Sequence, residues 1–236
     1  FGYGRGISPI EMGFYGINMA EQQKRAAETL EIVLKGLSRS RLSHQGSFYS
    51  FDDVPMAQNC VQNPHPPLWY GTNSPASAGR CGREGLNLVT LLNGERMHTM
   101  LAEFRSEFLA AGGVEASMPL HGVGRHILVA DTDEEAIALA RPAFALWRDQ
   151  FVHLWKQRGA GSNPFIDNFP KDWDAAVASG SACAGSPQSV RKFISMQAGQ
   201  SGFNYFVAQL AFGGLSVCQV KHSAQLFASE VMPAFA

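Results

Sequence analysis

Short apolar runs separated by longer amphipathic stretches dominate the pattern of hydrophobic and polar positions along this chain. The runs that fit buried strands lie at 1–4, 68–70, 86–92, 125–131 and 203–210. They are too far apart for hairpins, so the pattern predicts parallel strands joined by right-handed helical crossovers. We therefore predict the α/β class, with about five strand–helix units. The stretch 39–56 is predicted to be loop-like, with a short extended segment.

The helices predicted between these strands begin with characteristic cap residues. Ser8-Pro9-Ile10-Glu11 and Thr132-Asp133-Glu134-Glu135 match the capping box, in which side chains three positions apart bind each other's backbone N–H groups. Ser74 and Ser186 each precede a proline, which suits the first helical position because its missing N–H needs no partner there. Helices are predicted at about 20–37, 76–83, 95–111, 133–158, 187–199 and 217–227.

The number of strands leaves two arrangements open. About five parallel strands can form a doubly wound sheet, whereas a closed barrel needs eight. The chain opens inside the apolar run 1–4, and domains rarely start within a core strand, so we expect preceding strands and a truncated barrel. We treat residues 1–236 as one incomplete barrel domain with an irregular insertion at about 142–184. The aromatic residues of this insertion are predicted to pack in the core or, alternatively, to cover a substrate: Trp147, Trp155, Phe165, Phe169 and Trp173.

The stretch from His65 to Ala78 is the strongest candidate for binding an anion. An apolar run ends at Gly71, a short turn follows, and Ser74 begins a helix. Ser77 lies three residues later, so two hydroxyls and unpaired backbone N–H groups gather at one helix terminus. A helix start that follows the carboxyl end of a strand attracts anions, above all phosphate. An ordinary capped helix is the alternative interpretation.

The composition narrows the classes of function. The 236 residues are 45% hydrophobic and 17% charged, with a formal net charge of −1, which is typical of a globular protein. Without a basic excess, nucleic acid and anionic membranes are not expected as partners, and no apolar run reaches the length of a membrane span. The four cysteines are scattered without metal-ligand spacing, so we predict no metal site and reduced thiols in the cytoplasm.

Several short motifs, taken in their order along the chain, resemble the luciferase-like flavin-dependent monooxygenases. Each motif alone is weak, but their collinear order covers nearly the whole chain. The motifs are Gly4-Arg5-Gly6, Ser8-Pro9-x-Glu11, Arg25-x-x-Glu28, the segment Pro64 to Trp69, the Ser74-Pro75 helix start, Val129 to Ala136, Phe212-Gly213 and Leu226 to Pro233.

The resemblance implies a (β/α)8 TIM barrel, here truncated to about its last five βα units, and usually a homodimer. It implies an enzyme that inserts one oxygen atom of O2 into a small aldehyde or terpene-like substrate, using reduced FMN from a separate flavin reductase. A deazaflavin-dependent hydride-transfer oxidoreductase and a non-catalytic flavin-binding relative are the alternatives. Because the family's first three strands are expected to precede this chain, we expect the chain alone to be unstable and inactive.

The resemblance also implies flavin contacts at matching positions. Arg5, at the carboxyl end of its strand, matches a phosphate-binding arginine, with an ion pair to Glu11 as the alternative. Phe212 and Gly213 match the exit loop of the last strand, where glycine permits close approach to a ligand or forms a tight loop. The phosphate-binding helix start of the family matches Thr72, Asn73, Ser74 and Ser77.

Other polar residues are predicted to have structural roles, and no catalytic residue is assigned. Arg25 is predicted to form a surface ion pair with Glu28. Arg125 and His126 are predicted at the amino end of their strand, on the barrel face opposite the chemistry, where they support stability. The histidines predicted to be polar surface are His44, His121 and His222.

Overall fold

The alternation of helices and parallel strands predicted from the sequence is confirmed. A computed structural model describes residues 1–58, 60–158, 166 and 169–235. The strands are β1 (Gly2–Tyr3), β2 (Arg41–Gln45), β3 (Ser50–Pro55), β4 (Trp69–Gly71), β5 (Asn87–Thr90), β6 (His121–Val129), β7 (Ala182–Gly185) and β8 (Tyr205–Gln209). The helices are α1 (Pro9–Phe14), α2 (Gln22–Ser38), α3 (Pro75–Arg83), α4 (Gly94–Ala110), α5 (Asp133–Arg158), α6 (Trp173–Ala178), α7 (Pro187–Ser201) and α8 (Val217–Leu226). The chain divides into two compact units, 1–71 and 72–236.

The first unit contains a hairpin where the sequence predicted a loop. Strands β2 and β3 pair antiparallel, with Arg41 opposite Pro55 and Gln45 opposite Ser50. In β2, buried Leu42 and His44 alternate with exposed neighbours, which is the period-two pattern of a half-buried strand. The short extended segment predicted within 39–56 is confirmed, but the loop-like remainder was wrong, because the polar His44 occupies one of the buried positions and obscures the strand pattern. In the same unit, β1 and β4 pair in parallel.

The second unit is built around the nine-residue strand β6. This strand pairs in parallel with β5, β7 and β8. It begins at His121, four residues earlier than predicted, because Gly122 and Gly124 dilute the apolar pattern at its start. A Cβ on Gly122 would lie 2.6 Å from the carbonyl oxygen of Tyr205, so glycine allows β8 to approach this closely. The longer strand moves Arg125 from the predicted amino end to the middle of β6.

Side chains cap most of the helix starts that the sequence predicted. The hydroxyls of Ser8 and Thr132 accept hydrogen bonds from the N–H groups of Glu11 and Glu135. Ser186 caps α7 in the same way. Ser74 occupies the N-cap position of α3, but within the described residues its side chain makes no cap hydrogen bond. Among the serine and threonine helix starts that the sequence predicted, Ser74 is therefore the one whose side chain leaves the first N–H groups of its helix unengaged.

The region predicted as an irregular insertion, 142–184, contains regular elements. It includes the second part of α5, the helix α6 with its N-cap Asp172, and the strand β7. Trp173 is buried in a core cluster with Leu128 and Phe144, as predicted for an aromatic core residue. Phe165 lies outside the described residues. Small residues in α6 and β7 hid these elements, because Ala, Ser and Gly carry little hydrophobic periodicity.

Candidate functional site

A cavity of about 780 Å³ lies in the second unit, where the carboxyl ends of β5 and β8 meet the middle of β6. Its wall includes Leu91 and Asn93 just after β5, Gln209 at the end of β8, and Gly124 and His126 on β6. In parallel βα folds, this end of the strands is where ligands bind. The position and the size of the cavity mark it as the candidate active site.

Aromatic side chains form one wall of this cavity. Phe144, Trp147 and Phe151 lie on one face of α5, and Phe169 follows in the next described segment. The rings of Trp147 and Phe151 stack with their centroids 5.1 Å apart, and those of Phe151 and Phe169 lie 4.9 Å apart. Trp147 and Phe169 thus have the placement that the alternative prediction, a cover over the substrate, requires.

His126 lies against this aromatic wall, which corrects its predicted position on the opposite barrel face. Its ring centroid is 4.2 Å from that of Trp147, 5.4 Å from Phe144 and 5.2 Å from Phe212. Burial in this apolar environment lowers the pKa of His126 to about 4, so the imidazole is neutral near pH 7. Among the described residues, its Nε2 atom has no hydrogen-bond partner.

All three guanidinium nitrogens of Arg125, the preceding residue, donate hydrogen bonds to the chain. Its Nη2 donates to the carbonyl of Leu92 at 2.8 Å, its Nη1 to the carbonyl of Gly124 at 2.8 Å, and its Nε to Oε1 of Gln197 at 2.9 Å. Gln197 in turn donates to the carbonyl of Gly180 at 2.7 Å. Burial lowers the pKa of Arg125 to about 10, which leaves it charged at neutral pH.

The network around Arg125 holds two loops that line the cavity. Leu92 precedes Asn93, and Gly180 precedes Ser181; the Nδ2 of Asn93 donates to the hydroxyl of Ser181 at 2.7 Å. The prediction of a stabilising role for Arg125 therefore fits its contacts, although its predicted position did not. The sequence signal for both β6 residues was a polar Arg-His pair inside an otherwise apolar strand.

The predicted phosphate-binding residues of the α3 start lie together. The hydroxyl of Thr72 accepts the N–H of Ser74 at 3.0 Å, and Ser77 follows in the first turn of the helix. The Oδ1 of Asn73 accepts hydrogen bonds from the Thr90 hydroxyl at 2.9 Å and the N–H of Leu91 at 3.1 Å. Asn73 also lines the large cavity, so the α3 start adjoins it.

The remaining predicted cofactor contacts have separate locations. Arg5 belongs to the first unit, where it lines a cavity of about 200 Å³ together with Arg25. Phe212 is buried against His126. Gly213 has a φ of +54°, and a Cβ there would overlap the carbonyl oxygen of Ala143, so its close approach is to α5. The roles of these residues in cofactor binding stay predictions.

Three predictions for residues of the first unit and for His121 were wrong. Arg25 pairs with Glu21 at 3.1 Å, while Glu28 accepts the N–H groups of 47–49 and lies 3.3 Å from Nε2 of His44. These hydrogen bonds lower the pKa of Glu28, despite an opposing desolvation effect. His44 and His121 are both buried rather than on the surface. Spacing along one helix could not reveal Glu28's partners, which come from the hairpin.

Comparison with known proteins identifies the family. The luciferase-like monooxygenase family matches residues 1–202, and the chain therefore belongs to it. The uncharacterized protein y4wF of Sinorhizobium fredii is 32% identical over 231 residues, which cover 98% of this chain and 67% of that protein. The oxygenase component of the flavin-dependent trigonelline monooxygenase of Acinetobacter baylyi is 24% identical over 216 residues, or 86% of this chain and 58% of that protein.

A solved structure supports the fold. The oxygenating constituent of 3,6-diketocamphane monooxygenase from Pseudomonas putida, solved in complex with FMN, matches with a TM-score of 0.76 and 19% identity. The match covers 100% of this chain and 71% of that protein. This confirms the predicted α/β fold of the luciferase-like barrel type. In the described part of the chain, no helix is long and apolar enough to span a membrane, and no cluster of metal ligands occurs.

Proposed function

We propose that this chain carries the flavin- and substrate-binding part of a monooxygenase that uses reduced FMN and O2. One oxygen atom enters a small organic substrate and the other leaves as water. The observation that carries this proposal is the cavity of about 780 Å³ at the carboxyl ends of β5 and β8, in a member of the luciferase-like monooxygenase family. The flavin dependence of the trigonelline monooxygenase relative supports the choice of cofactor.

The residues around the cavity fit a flavin. The volume lies within the range of about 300–1,000 Å³ that is typical of cofactor and ligand sites, and the aromatic wall suits a planar ring. At the adjoining α3 start, Thr72, Ser74 and Ser77 would hold the phosphate, because the side chain of Ser74 leaves the first N–H groups of the helix for a ligand. From the family resemblance we keep Arg5 as a flavin contact, and we assign Phe212 and Gly213 to a loop beside the cofactor.

The chain's own contribution is to bind, to orient and to exclude water. When bound, reduced FMN supplies the electrons that activate O2. Phe144, Trp147, Phe151 and Phe169 shield the reacting groups from water, which protects reactive species from hydrolysis. His126 stays neutral near pH 7, so it adds a polar contact to this wall without adding charge.

The partners follow from the same proposal. The relative from Acinetobacter baylyi is named as an oxygenase component, which supports a separate flavin reductase as the source of reduced FMN. A homodimer, a cytoplasmic location and an aldehyde or terpene-like substrate remain our proposals from the family resemblance.

Binding of FMN tests the phosphate site directly. In the full-length protein, Ser74→Ala and Arg5→Ala should each weaken FMN binding by about 1 kcal/mol or more, because each removes a polar contact to a charged group. Ser186→Ala is the matched control, since Ser186 begins another Ser-Pro helix and does not line the cavity. Equilibrium dialysis measures the affinities, and unchanged FMN affinity in both variants would refute the assignment.

Turnover tests the reaction. The full-length protein is incubated with NADH, a flavin reductase, FMN and a panel of aldehydes, terpenes and aromatic carboxylates, and the products are identified by mass spectrometry. Incorporation of one atom from ¹⁸O2 is the expected result. If no substrate yields an oxygenated product, the enzyme proposal fails. Absorbance changes on adding FMN or a deazaflavin separately distinguish the deazaflavin alternative.

A further inference from the structure

The large cavity is asymmetric in charge. Its described lining includes Arg96 but no aspartate or glutamate. Arg96 is exposed on the first turn of α4, and it forms no ion pair with another described residue. Its sequence neighbour Glu95 points in a different direction around the helix, because adjacent residues do not share a helix face. The cavity therefore presents a cation that no described acidic residue neutralises.

Two further sources of positive potential lie close to Arg96. Asn93, the N-cap of α4, makes no cap hydrogen bond within the described residues and instead donates to Ser181, so its side chain leaves the first N–H groups of a 17-residue helix unengaged. The buried charge of Arg125 is bonded to the carbonyl of Leu92, one residue before Asn93. Its three hydrogen-bond acceptors on oxygen are two backbone carbonyls and a side-chain amide, so they carry no full negative charge.

The aromatic wall of the cavity is apolar, in contrast to the positively charged region around Arg96. Trp147, Phe151 and Phe169 line the same cavity as Arg96 and offer large apolar faces. Aromatic faces alone would also suit a cationic ligand. The unneutralised guanidinium and the helix terminus oppose a cation, however, because like charges in a partly desolvated site repel strongly.

We propose that the substrate of this cavity is an organic carboxylate with an apolar, aromatic-sized body. Its carboxylate binds Arg96 and the N-terminus of α4, and its body packs on Trp147 and Phe151. A guanidinium and a carboxylate form paired, charge-assisted hydrogen bonds, so Arg96 selects for the acid over neutral analogues. This inference rests on the proposed function, and it replaces the neutral aldehyde or terpene-like substrate of the family resemblance with an anionic one.

Three probes of matched shape test the charge preference: 4-phenylbutyrate, 4-phenylbutyramide and 4-phenylbutylamine. Isothermal titration calorimetry on the full-length protein measures each affinity at constant ionic strength. We expect the carboxylate to bind at least about tenfold more tightly than the amide, and the amine to bind most weakly. Equal affinities for the acid and the amide, or no measurable binding of the acid, overturn the proposal.

Substitutions at Arg96 show whether this residue is responsible. Arg96→Gln should remove the preference for the acid and leave the amide affinity within about twofold, whereas Arg96→Lys should keep most of the preference. Lys221→Gln is the matched control, because it removes one exposed positive charge on α8, outside the cavity lining. A preference that survives in Arg96→Gln overturns the assignment. Circular dichroism verifies that the variants are folded.

Repeating the titrations with saturating FMN tests whether the anion site binds the carboxylate or the FMN phosphate. If the acid and FMN bind together, the anion site belongs to the substrate, as proposed. If FMN abolishes binding of the acid, Arg96 and the N-terminus of α4 bind the cofactor and the substrate assignment fails. If FMN itself does not bind while the preference for the acid persists, the proposed function fails and the anion site stands.

Discussion

Arg125 and His126 are consecutive residues of β6, both buried, yet their surroundings are opposite in kind. Successive side chains of a strand point to opposite faces, so the two enter different layers of the fold. The guanidinium of Arg125 donates to Leu92, Gly124 and Gln197. The imidazole of His126 packs on aromatic rings at the cavity wall, and its Nε2 has no hydrogen-bond partner among the described residues.

The difference shows what burial does to two bases of different strength. Burial lowers the pKa of Arg125 to about 10 and that of His126 to about 4. At neutral pH, Arg125 therefore keeps its charge, and hydrogen bonds must offset the cost of burying that charge. His126 loses its charge and needs fewer hydrogen bonds. Arg125 holds the loops around the cavity, and His126 forms part of its wall.

The largest effect on stability should come from Gly213, which follows Phe212, the neighbour of His126. A Cβ at this position would overlap the carbonyl oxygen of Ala143, and the φ of +54° disfavours any other residue. We expect Gly213→Ala to lower the free energy of unfolding by about 4 kcal/mol, because the backbone of α5 must shift. Urea unfolding measures this change. Gly214→Ala is the control, since its Cβ would meet the flexible end of Leu146 at 3.3 Å; equal losses in both variants contradict the explanation.

On the other face, Arg125→Met should lower the free energy of unfolding by about 3 kcal/mol, because it leaves the carbonyl of Leu92 and Oε1 of Gln197 without their donor. Arg125→Lys keeps the charge but fewer of the hydrogen bonds and should lose about half as much. Chemical denaturation of the full-length protein gives both values. A Met variant as stable as the parent would show that relief from burying the charge outweighs the lost hydrogen bonds.

Acid should distinguish the two residues, because only the histidine changes its charge below pH 7. An unfolded histidine takes up a proton near pH 6.5, whereas folded His126 takes one up only near pH 4, so the unfolded state binds more protons between these values. The contribution of His126 to stability is therefore greatest above pH 6.5 and falls, by no more than about 3 kcal/mol, on acidification to pH 4.

The difference in stability between the parent and His126→Phe, measured by denaturation at several pH values, isolates this contribution from other titrating groups. The advantage of the phenylalanine variant should grow as the pH falls from 6.5 to 4. A difference that stays constant over this range would mean that His126 is not buried as the structure indicates.

The smallest effect is expected for His126→Phe at neutral pH. The ring is already surrounded by aromatic side chains and its Nε2 makes no hydrogen bond to the described residues, so stability should change by less than about 1 kcal/mol. His121→Phe is the matched control, because the ring nitrogens of His121 contact the carbonyl oxygens of Pro119 and Gly202 at 2.9 and 3.2 Å. In His121→Phe, the free energy of unfolding measured with urea or heat should fall by about 2 kcal/mol. A larger loss of stability in His126→Phe than in His121→Phe would refute this interpretation of the two histidines.

Local patterns in the chain were enough to predict its class and many of its elements. The hydroxyls of Ser8 and Thr132 accept hydrogen bonds from N–H groups three residues ahead, which is the first half of each predicted capping box, because capping depends on side chains within one turn. Widely spaced apolar runs predicted the parallel strands for a similarly local reason. The collinear motifs identified the family, and with it the barrel type.

Contacts between distant segments decided the rest. The buried positions of His44 and His121 depend on partners 16 and 81 residues away, which no local pattern contains. The role of His126 depends on α5 and the loop after β8, and that of Arg96 on which residues share its cavity. A polar side chain can be stabilised in the core by many different partners, whereas an apolar periodicity has essentially one interpretation. The local sequence pattern therefore predicted most of the helices and parallel strands but not the hairpin, α6 or β7, and the tertiary structure determines which charges are neutralised and which line the cavity.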